Sequence, residues 1–240
     1  MIVAEGVGVQ FLFDRHMRVV TPGEARLRGQ GLTTWGLRDV TFSVGRGEGT
    51  ALIGASGSGK TTLLRVLAGI YMPDRGSIEI RGRVASLLSI DAGLLPLLTG
   101  RENALLLGVL TGLPRRAVVR ALDDVNARSG LGDAFDRPVL TYSQGMKARL
   151  GIAVAEEANP QILVLDEVHE ALDHEFRHFL QERAHAIVDA GGIVVAAGHD
   201  HPMLASLCSR AIWMEKGSIR EHGRFEEVQP RYLDAVRSGS

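Results

Sequence analysis

The chain has a single cysteine, no long apolar run and no excess of charge of either sign. Cys208 cannot form an internal disulfide, and a lone cysteine is typical of a packing residue in a reducing compartment. The 27 Lys and Arg residues nearly balance the 28 Asp and Glu residues, without a basic arm, so nucleic acid is not the expected partner. The most apolar windows, 104–113 and 192–198, fall well short of the roughly 20 residues of a membrane-spanning helix.

The length of 240 residues suits one large α/β domain, or a core with one inserted subdomain. The N-terminus, MIVAEGVGVQFLFDRH, has an early acidic residue and no basic segment before its apolar part, so it does not resemble a secretion signal. Gly and Pro punctuate the apolar segments instead of forming a linker. We therefore expect a soluble single domain.

Residues 50–70, TALIGASGSGKTTLLRVLAGI, contain a complete phosphate-binding loop. They fit G-x-x-x-x-G-K-[ST] between an apolar strand and a helical pattern, which is the context that this motif requires. The glycines allow backbone N–H groups to surround phosphate oxygens, Lys60 reaches the β and γ phosphates, and Thr61 offers a hydroxyl to Mg²⁺. The predicted nucleotide-binding residues here are Gly54, Ala55, Ser56, Gly57, Ser58, Gly59, Lys60, Thr61 and Thr62.

A short apolar strand at 162–165 carries two acids at its carboxyl end, where open α/β sheets bind ligands. Asp166 is placed to hold Mg²⁺, and Glu167 to polarise an attacking water. Together with the phosphate loop, the pair predicts ATP hydrolysis with Mg²⁺.

A second potential anion grip lies at LTYSQGMKARL, residues 140–150. Small and apolar residues recur at helical spacing from Met146 to Ala155, so Ser143 is expected to cap a helix, with Gly145 just inside it. Ser143 lies 23 residues before Asp166, and its helix leads directly into the acidic strand. The chain thus carries two candidate phosphate grips.

These features resemble the ATP-binding subunit of ABC transporters. YSQGM is similar to the signature of that family, ILVLDE to its Walker B strand, ALDH at 171–174 to its D-loop, and AAGHD at 196–200 to its switch-histidine segment. The resemblance implies a head-to-tail homodimer in which the signature of one copy grips the nucleotide of the other. It adds Tyr142, Ser143, Gln144, Gly145 and Asp173 to the nucleotide-binding residues and His199 to the catalytic ones.

Four segments are similar to exporters of lipid-linked polysaccharides such as O-antigen, capsule, teichoic acid or galactan: 35–48, 82–113, YSQGMKARL and 207–223. This resemblance implies a separate integral membrane permease, a lipid-linked glycan as cargo, and a place on the cytoplasmic face of the bacterial inner membrane. Residues 94–113 are expected to meet the permease. The sequence ends at Ser240, so we expect no appended carbohydrate-binding domain.

Three positions depart from the family pattern. The Gln that the family places at the end of the strand in 83–90 is absent, because residues 89–91 are Ser, Ile and Asp; Ser89 or Asp91 is left as its equivalent, with Ser89 favoured as a metal contact. His199, 33 residues after Asp166, is favoured over His201 as the phosphate-sensing histidine. The aromatic residue that stacks on adenine is left open among three candidates, with Trp35 preferred over Phe11 and Phe13.

The expected fold class is α/β: a P-loop NTPase (RecA-like) core with an inserted helical subdomain and an antiparallel β part, of the ABC ATPase type. The core would comprise 1–94 and 159–240, and the helical subdomain 95–158. Strands are predicted near 40–44, 50–54, 77–81, 84–89, 162–166, 193–197 and 211–220. Helices are predicted near 61–69, 115–128, 143–157, 175–190, 202–207 and 225–236.

Two other functions compete with transport. A soluble ABC-type ATPase acting on ribosomes or DNA usually joins two cassettes or inserts a long coiled coil, and neither pattern is present. A P-loop kinase would leave YSQGMKARL and His199 without a role. Co-purification with a polytopic membrane protein separates the transport hypothesis from both.

Overall fold

The computed structural model describes residues 1–13, 32–88, 93–166 and 174–238. Its strands are β1 (Ile2–Phe13), β2 (Leu32–Val44), β3 (Glu48–Ile53), β4 (Arg75–Ile80), β5 (Val84–Leu87), β6 (Ile162–Asp166), β7 (Ile193–Ala197), β8 (Arg210–Glu215) and β9 (Ser218–Arg224). Its α-helices are α1 (Lys60–Leu67), α2 (Gly100–Leu110), α3 (Arg115–Ser129), α4 (Gln144–Glu157), α5 (His174–Asp189), α6 (His201–Leu207) and α7 (Phe225–Ser238).

The central sheet has six strands in the order β5-β6-β7-β3-β8-β9. All neighbouring pairs are parallel except β8 and β9, which are antiparallel. Strands β6 and β7 are buried at every position, as expected for apolar strands with both sheet faces covered. Their side chains alternate between two hydrophobic clusters, one on each face of the sheet.

A second sheet of three antiparallel strands, β2-β1-β4, covers one of these faces together with α1. Its inward residues, including Ile2, Val7 and Val40, are fully buried and share a cluster with the first helix. This sheet is the predicted antiparallel β part.

Helices α2, α3 and α4, with two 3₁₀ turns between the last two, form a separate helical part. Its hydrophobic cluster is drawn from residues between Leu94 and Val154. Thr99 and Glu102 form a reciprocal capping box at the start of α2, and Gly130 ends α3 in the left-handed region. The predicted subdomain boundaries, 95 and 158, remain a prediction.

The structure adds two elements to the prediction and corrects two predicted strands. Strand β1 and helix α2 were absent from the prediction, and the predicted strand 40–44 is the end of the much longer β2. The predicted strand 211–220 is a hairpin, because Lys216 and Gly217 both adopt positive φ and reverse the chain in two residues. No helix formed by the described residues has the length and apolarity to cross a membrane.

Candidate functional site

The phosphate loop connects β3 to α1, and three of its glycines occupy backbone conformations that other residues rarely adopt. The φ values are +149° at Gly54, +77° at Gly57 and +107° at Gly59. A Cβ on Gly54 would lie 2.3 Å from the carbonyl oxygen of Met214 and 2.7 Å from the Ser58 hydroxyl. The loop therefore needs glycine at Gly54 for space as well as for conformation.

Lys60 is buried inside the curve of this loop. Its Nζ donates hydrogen bonds to the carbonyl oxygens of Gly54 (2.7 Å) and Ala55 (3.2 Å). The Ser58 hydroxyl is also buried and has no hydrogen-bond partner among the described residues. A buried cation beside an unsatisfied hydroxyl fits the binding of an oxyanion such as a phosphate.

The remaining loop residues are open to solvent or half-buried. Ala55, Ser56 and Gly57 are exposed at the crest of the loop. Thr61 and Thr62 lie half-buried in the first turn of α1, where free backbone N–H groups and the helix dipole favour an anion. The nine predicted residues thus form one continuous segment from the end of β3 to the first turn of α1.

The hairpin between β8 and β9 supports the loop, a role that sequence reasoning missed. Gly217 N donates to the carbonyl oxygen of Ser58 (2.9 Å), and Arg38 N donates to that of Gly217 (2.7 Å). A Cβ on Gly59 would lie 2.8 Å from the carbonyl oxygen of Gly36. The Lys-Gly pair directly after the apolar strand β8 is the signal that could have revealed this turn.

Parallel pairing brings the acidic strand and the histidine segment to the edge of the sheet that carries the loop. Ala197, at the end of β7, pairs with Leu52 of β3 on one side and with Asp166 of β6 on the other. Asp166 is buried, whereas His199, two residues beyond β7, is exposed. Asp166 is thus the last residue of β6, and Lys60 and His199 come after β3 and β7, which end at the same edge.

Asp200 fixes the backbone immediately after His199. Its Oδ1 accepts a hydrogen bond from Met203 N (3.0 Å) at the start of α6, and its Oδ2 lies 3.1 Å from a guanidinium nitrogen of Arg177. His201 is half-buried against α7, and burial, followed by the neighbouring His199, lowers its pKa against the opposing effect of Asp200. The two histidines thus have different environments, and the exposed one is His199.

Three predicted site residues lie outside the described residues. Glu167, the predicted base, and Asp173, in the D-loop-like segment, belong to 167–173. Ser89, the predicted metal contact, and its alternative Asp91 belong to 89–92. Their roles remain predictions.

The second predicted grip lies at the start of α4, within the helical part. Ser143 is the N-cap, and its hydroxyl accepts a hydrogen bond from Met146 N (3.2 Å), as the sequence predicted. Ser143 and Gln144 are exposed, and Gly145 is buried. The grip therefore faces solvent, where a second molecule can reach it.

Tyr142 contributes to the core of the helical part. The residue is only 7% exposed, and its hydroxyl donates to the carbonyl oxygen of Ala134 (2.7 Å). Burial, followed by the charge of Asp136, raises the pKa of this phenol. This placement gives no support to a side-chain contact between Tyr142 and nucleotide.

Trp35 lies on the antiparallel sheet, in a shallow pocket lined by Gly6, Gly8, Trp35, Arg38, Asp39 and Arg75. The guanidinium of Arg75 stacks over its ring at 4.9 Å. Phe11 instead packs toward Gly36, which also faces Thr62. The residues of the phosphate loop do not line the Trp35 pocket, so its predicted contact with adenine gains no support from this placement.

A cavity of about 270 Å³ lies beside the phosphate loop. It is lined by the loop crest, the end of β8 and the last turns of α7: Ala55–Ser58, Trp213–Lys216, Tyr232, Ala235 and Val236. The ring of Tyr232 meets that of Trp213 edge to face at 5.5 Å. The sequence predicted α7 but not its position against the loop.

Comparison with known proteins agrees with this geometry. The profile of the family described as "ABC transporter" matches residues 37–170, more than half of the chain. Two solved structures share the fold with a TM-score of 0.75: the dimeric ATP-binding cassette MJ0796, and the same cassette in a post-hydrolysis state bound to ADP and Pi. In each case 94% of this chain and 99% of the other are covered, at 20% and 21% identity.

Curated relatives have higher identity. The O-antigen export system ATP-binding protein RfbB of Klebsiella pneumoniae is 37% identical over 83% of this chain and 81% of its own length. RfbB of Myxococcus xanthus is 36% identical over 89% of this chain, and the teichoic acids export ATP-binding protein TagH of Lactococcus lactis 36% over 85%. The chain spans 49% of the Myxococcus protein and 43% of the Lactococcus protein.

The predicted α/β fold class and the predicted resemblance to ABC ATP-binding subunits, including those of polysaccharide export, are confirmed by these matches. The phosphate loop, the acidic strand and the signature-like start of α4 each have the local structure that the sequence predicted. The chain belongs to the ABC transporter family.

Proposed function

We propose that this chain is the ATP-hydrolysing subunit of an ABC transporter that exports a lipid-linked polysaccharide. The observation that carries the proposal is that the chain has two separate loop-to-helix junctions suited to an anion, one around buried Lys60 and one at exposed Ser143. A single bound nucleotide uses the first, and the second is left for another molecule. The similarity to export-system ATP-binding proteins supplies the transport process.

ATP binds through the phosphate loop. Its backbone N–H groups and the Ser58 hydroxyl face the phosphates, and the Lys60 ammonium exchanges carbonyl partners for β and γ oxygens. Because Lys60 is already held within the loop, little side-chain order has to be created on binding. A Cβ at Gly54 would strike the Met214 carbonyl oxygen and the Ser58 hydroxyl, so glycine preserves the tight turn in which the N–H groups of the loop can face a phosphate chain.

Mg²⁺ is the metal that this donor set fits. The Thr61 hydroxyl and the Asp166 carboxylate are hard oxygen ligands, and Mg²⁺ is commonly held by one or two such groups together with substrate phosphates. When bound, Mg²⁺ neutralises charge that builds up on the phosphate oxygens during cleavage. The backbone of Asp166 is fixed at the end of β6 because this strand pairs with β5 on one side and with β7 on the other.

Glu167 orients the attacking water and accepts its proton, and His199 holds the γ-phosphate from the opposite side. Glu167 directly follows Asp166, and exposed His199 stands beyond the adjacent strand with its backbone fixed by Asp200. A positioned base contributes about 10²-fold to 10⁴-fold in rate. The site is completed by Ser143, Gln144 and Gly145 of a second copy, whose α4 N-terminus faces the same phosphate.

Two copies of the chain therefore act as a homodimer, which binds two copies of a separate integral membrane permease. Exposed Leu95, Leu97, Val109 and Leu110 in and before α2 support the predicted contact along 94–113, because apolar surface of this kind favours a protein partner. The residues of α2 that pack inward are Gly100, Asn103, Ala104 and Gly108. The assembly lies at the cytoplasmic face of the inner membrane and moves a lipid-linked glycan, not a nucleic acid.

Two measurements test the proposal. Purified chain should release phosphate from ATP with Mg²⁺; Lys60→Ala should abolish the release, and Arg115→Ala, at an exposed site on α3, should leave it unchanged. Tagged chain isolated from solubilised membranes of its own cells should bring down a polytopic membrane protein. Isolation with ribosomes or DNA instead would overturn the transport role while leaving the ATPase intact.

A further inference from the structure

Glu156, near the end of α4, lies between two arginines from different helices. Its Oε2 is 3.7 Å from Nε of Arg128 in α3, and its Oε1 is 3.5 Å from Nε of Arg183 in α5. The Glu156 side chain is only 18% exposed. Arg128 also pairs with Glu157, the next residue of α4.

The two contacts to Glu156 are ion pairs without a hydrogen bond. Nε of Arg128 and Nε of Arg183 are both buried and have no hydrogen-bond partner within the described residues. Burial raises the pKa of Glu156, and the charges of Arg183 and Arg128 oppose that rise. Even a partly buried carboxylate is costly unless it is paired, so this position depends on both cations.

Helix α4 separates two hydrophobic cores. Ala148 and Ile152 pack into the cluster shared with the central sheet and α5, whereas Leu150, Ala153 and Val154 pack into the cluster of the helical part. Apolar contacts resist separation but tolerate sliding and rotation, whereas an ion pair opposes any movement that draws its two charges apart. The cluster around Glu156 adds such a charged contact between α4 and α5.

We propose that Glu156 is a positioning residue for Ser143: held between Arg128 and Arg183, it ties α4 to α5 and so sets how the signature-like end of α4 meets the nucleotide of a partner copy. This inference rests on the proposed function. Ser143 caps the helix in which Glu156 lies, 13 residues away, or about 20 Å along a rigid rod. A rotation or shift of α4 at the Glu156 end therefore also moves Ser143 at the other end.

Complementation between defective copies tests this directly. The Lys60→Ala copy keeps an intact signature, and the Ser143→Arg copy keeps an intact phosphate loop. A dimer of either one with Glu156→Gln therefore has a single working site, which uses either the loop or the signature of the Glu156→Gln copy. With Lys60→Ala in excess, the working site uses only the loop of the Glu156→Gln copy. With Ser143→Arg in excess, it uses only the α4 signature of that copy.

We expect Glu156→Gln to bind ATP as the wild type does and to support phosphate release in the first mixture. In the second mixture, the rate of phosphate release should fall by about twofold to thirtyfold. A general folding defect would lower both mixtures alike and would overturn the proposal, as would equal, undiminished rates. The control is Glu182→Gln, an exposed position of α5 beside Arg183, which should behave as wild type in both mixtures.

A second pair of variants keeps the test valid if Glu156→Gln folds poorly. Arg183→Gln should reproduce the selective loss, and Arg128→Gln should do the same by removing the other cation that contacts Glu156. Absence of both effects would contradict the proposal. If the wild type itself releases no phosphate, or Lys60→Ala and Ser143→Arg do not complement each other, the proposed function fails instead.

Discussion

Asp200 and Arg177 form an ion pair at 3.1 Å, which connects the loop after the exposed His199 to helix α5. The other carboxylate oxygen of Asp200 caps α6 through Met203 N. One side chain thus fixes the backbone beyond His199 in two directions. The predicted phosphate-sensing histidine therefore depends on a neighbour that does not itself need to touch nucleotide.

Asp200→Ala should lose the helix cap and the ion pair together. We expect about 1 kcal/mol of lost stability, the usual cost of an N-cap, and slower phosphate release with ATP affinity retained. Arg177→Gln keeps the cap, so it should have a smaller effect on both quantities. Urea unfolding and a phosphate-release assay measure them; an Asp200→Ala protein with wild-type turnover would show that this aspartate does not position His199.

Gly54→Ala should abolish ATP binding. The added Cβ would lie 2.3 Å from the Met214 carbonyl oxygen, and alanine would have to adopt a φ of +149°, so the loop must move. Gly112→Ala is the matched control, because Gly112 also has a positive φ, +91°, but faces open space outside the loop. Nucleotide titration should show full loss for the first variant and none for the second; binding retained by Gly54→Ala would mean that the loop tolerates a rebuilt geometry.

Cys208 should be chemically silent in the folded protein. It is 2% exposed, and burial raises the pKa of its thiol well above the ordinary value. Because the thiolate is the reactive form, a thiol reagent at pH 8 should label Cys208 only after denaturation. Rapid labelling of native protein would place the thiol in a more open environment than the structure gives it.

Glu167→Gln should give a dimer that holds ATP and barely hydrolyses it. The amide keeps the size of the side chain but cannot accept the proton of the attacking water, which costs about 10²-fold or more. Removing the negative charge should also ease closure around ATP. Size-exclusion chromatography with ATP and Mg²⁺, together with phosphate release, measures both effects, and turnover at the wild-type rate would exclude Glu167 as the base.

The sequence predicted the features that depend on local chemistry. The phosphate loop, the strand ending at Asp166 and the cap at Ser143 each need particular residues within a few positions of one another, and all three have the expected local form. The parallel strands are also predictable from the sequence, because each is a short apolar run bounded by turn residues. The order of those strands brings His199 and Asp166 to one edge.

Features that depend on distant partners could not be predicted in the same way. Strand β1 is paired with β2 and β4 through bulges that break its alternation, so its pattern alone is ambiguous. The last seven residues of helix α2, ALLLGVL, show no polar face, and the start of the helix is fixed by the Thr99 and Glu102 cap. The support of the loop by Gly217 and the position of Glu156 between two helices arise only from tertiary packing.

In the proposed homodimer, Ser143 of one copy acts on the nucleotide held by Lys60 of the other. Mixing Lys60→Ala with Ser143→Arg tests this arrangement, because each mixed dimer contains one doubly damaged site and one intact site. Each variant alone should release no phosphate, and Ser143→Arg should still bind ATP. The mixture should recover activity; no recovery, with mixed dimers detected by differently tagged copies, would contradict the two-grip account.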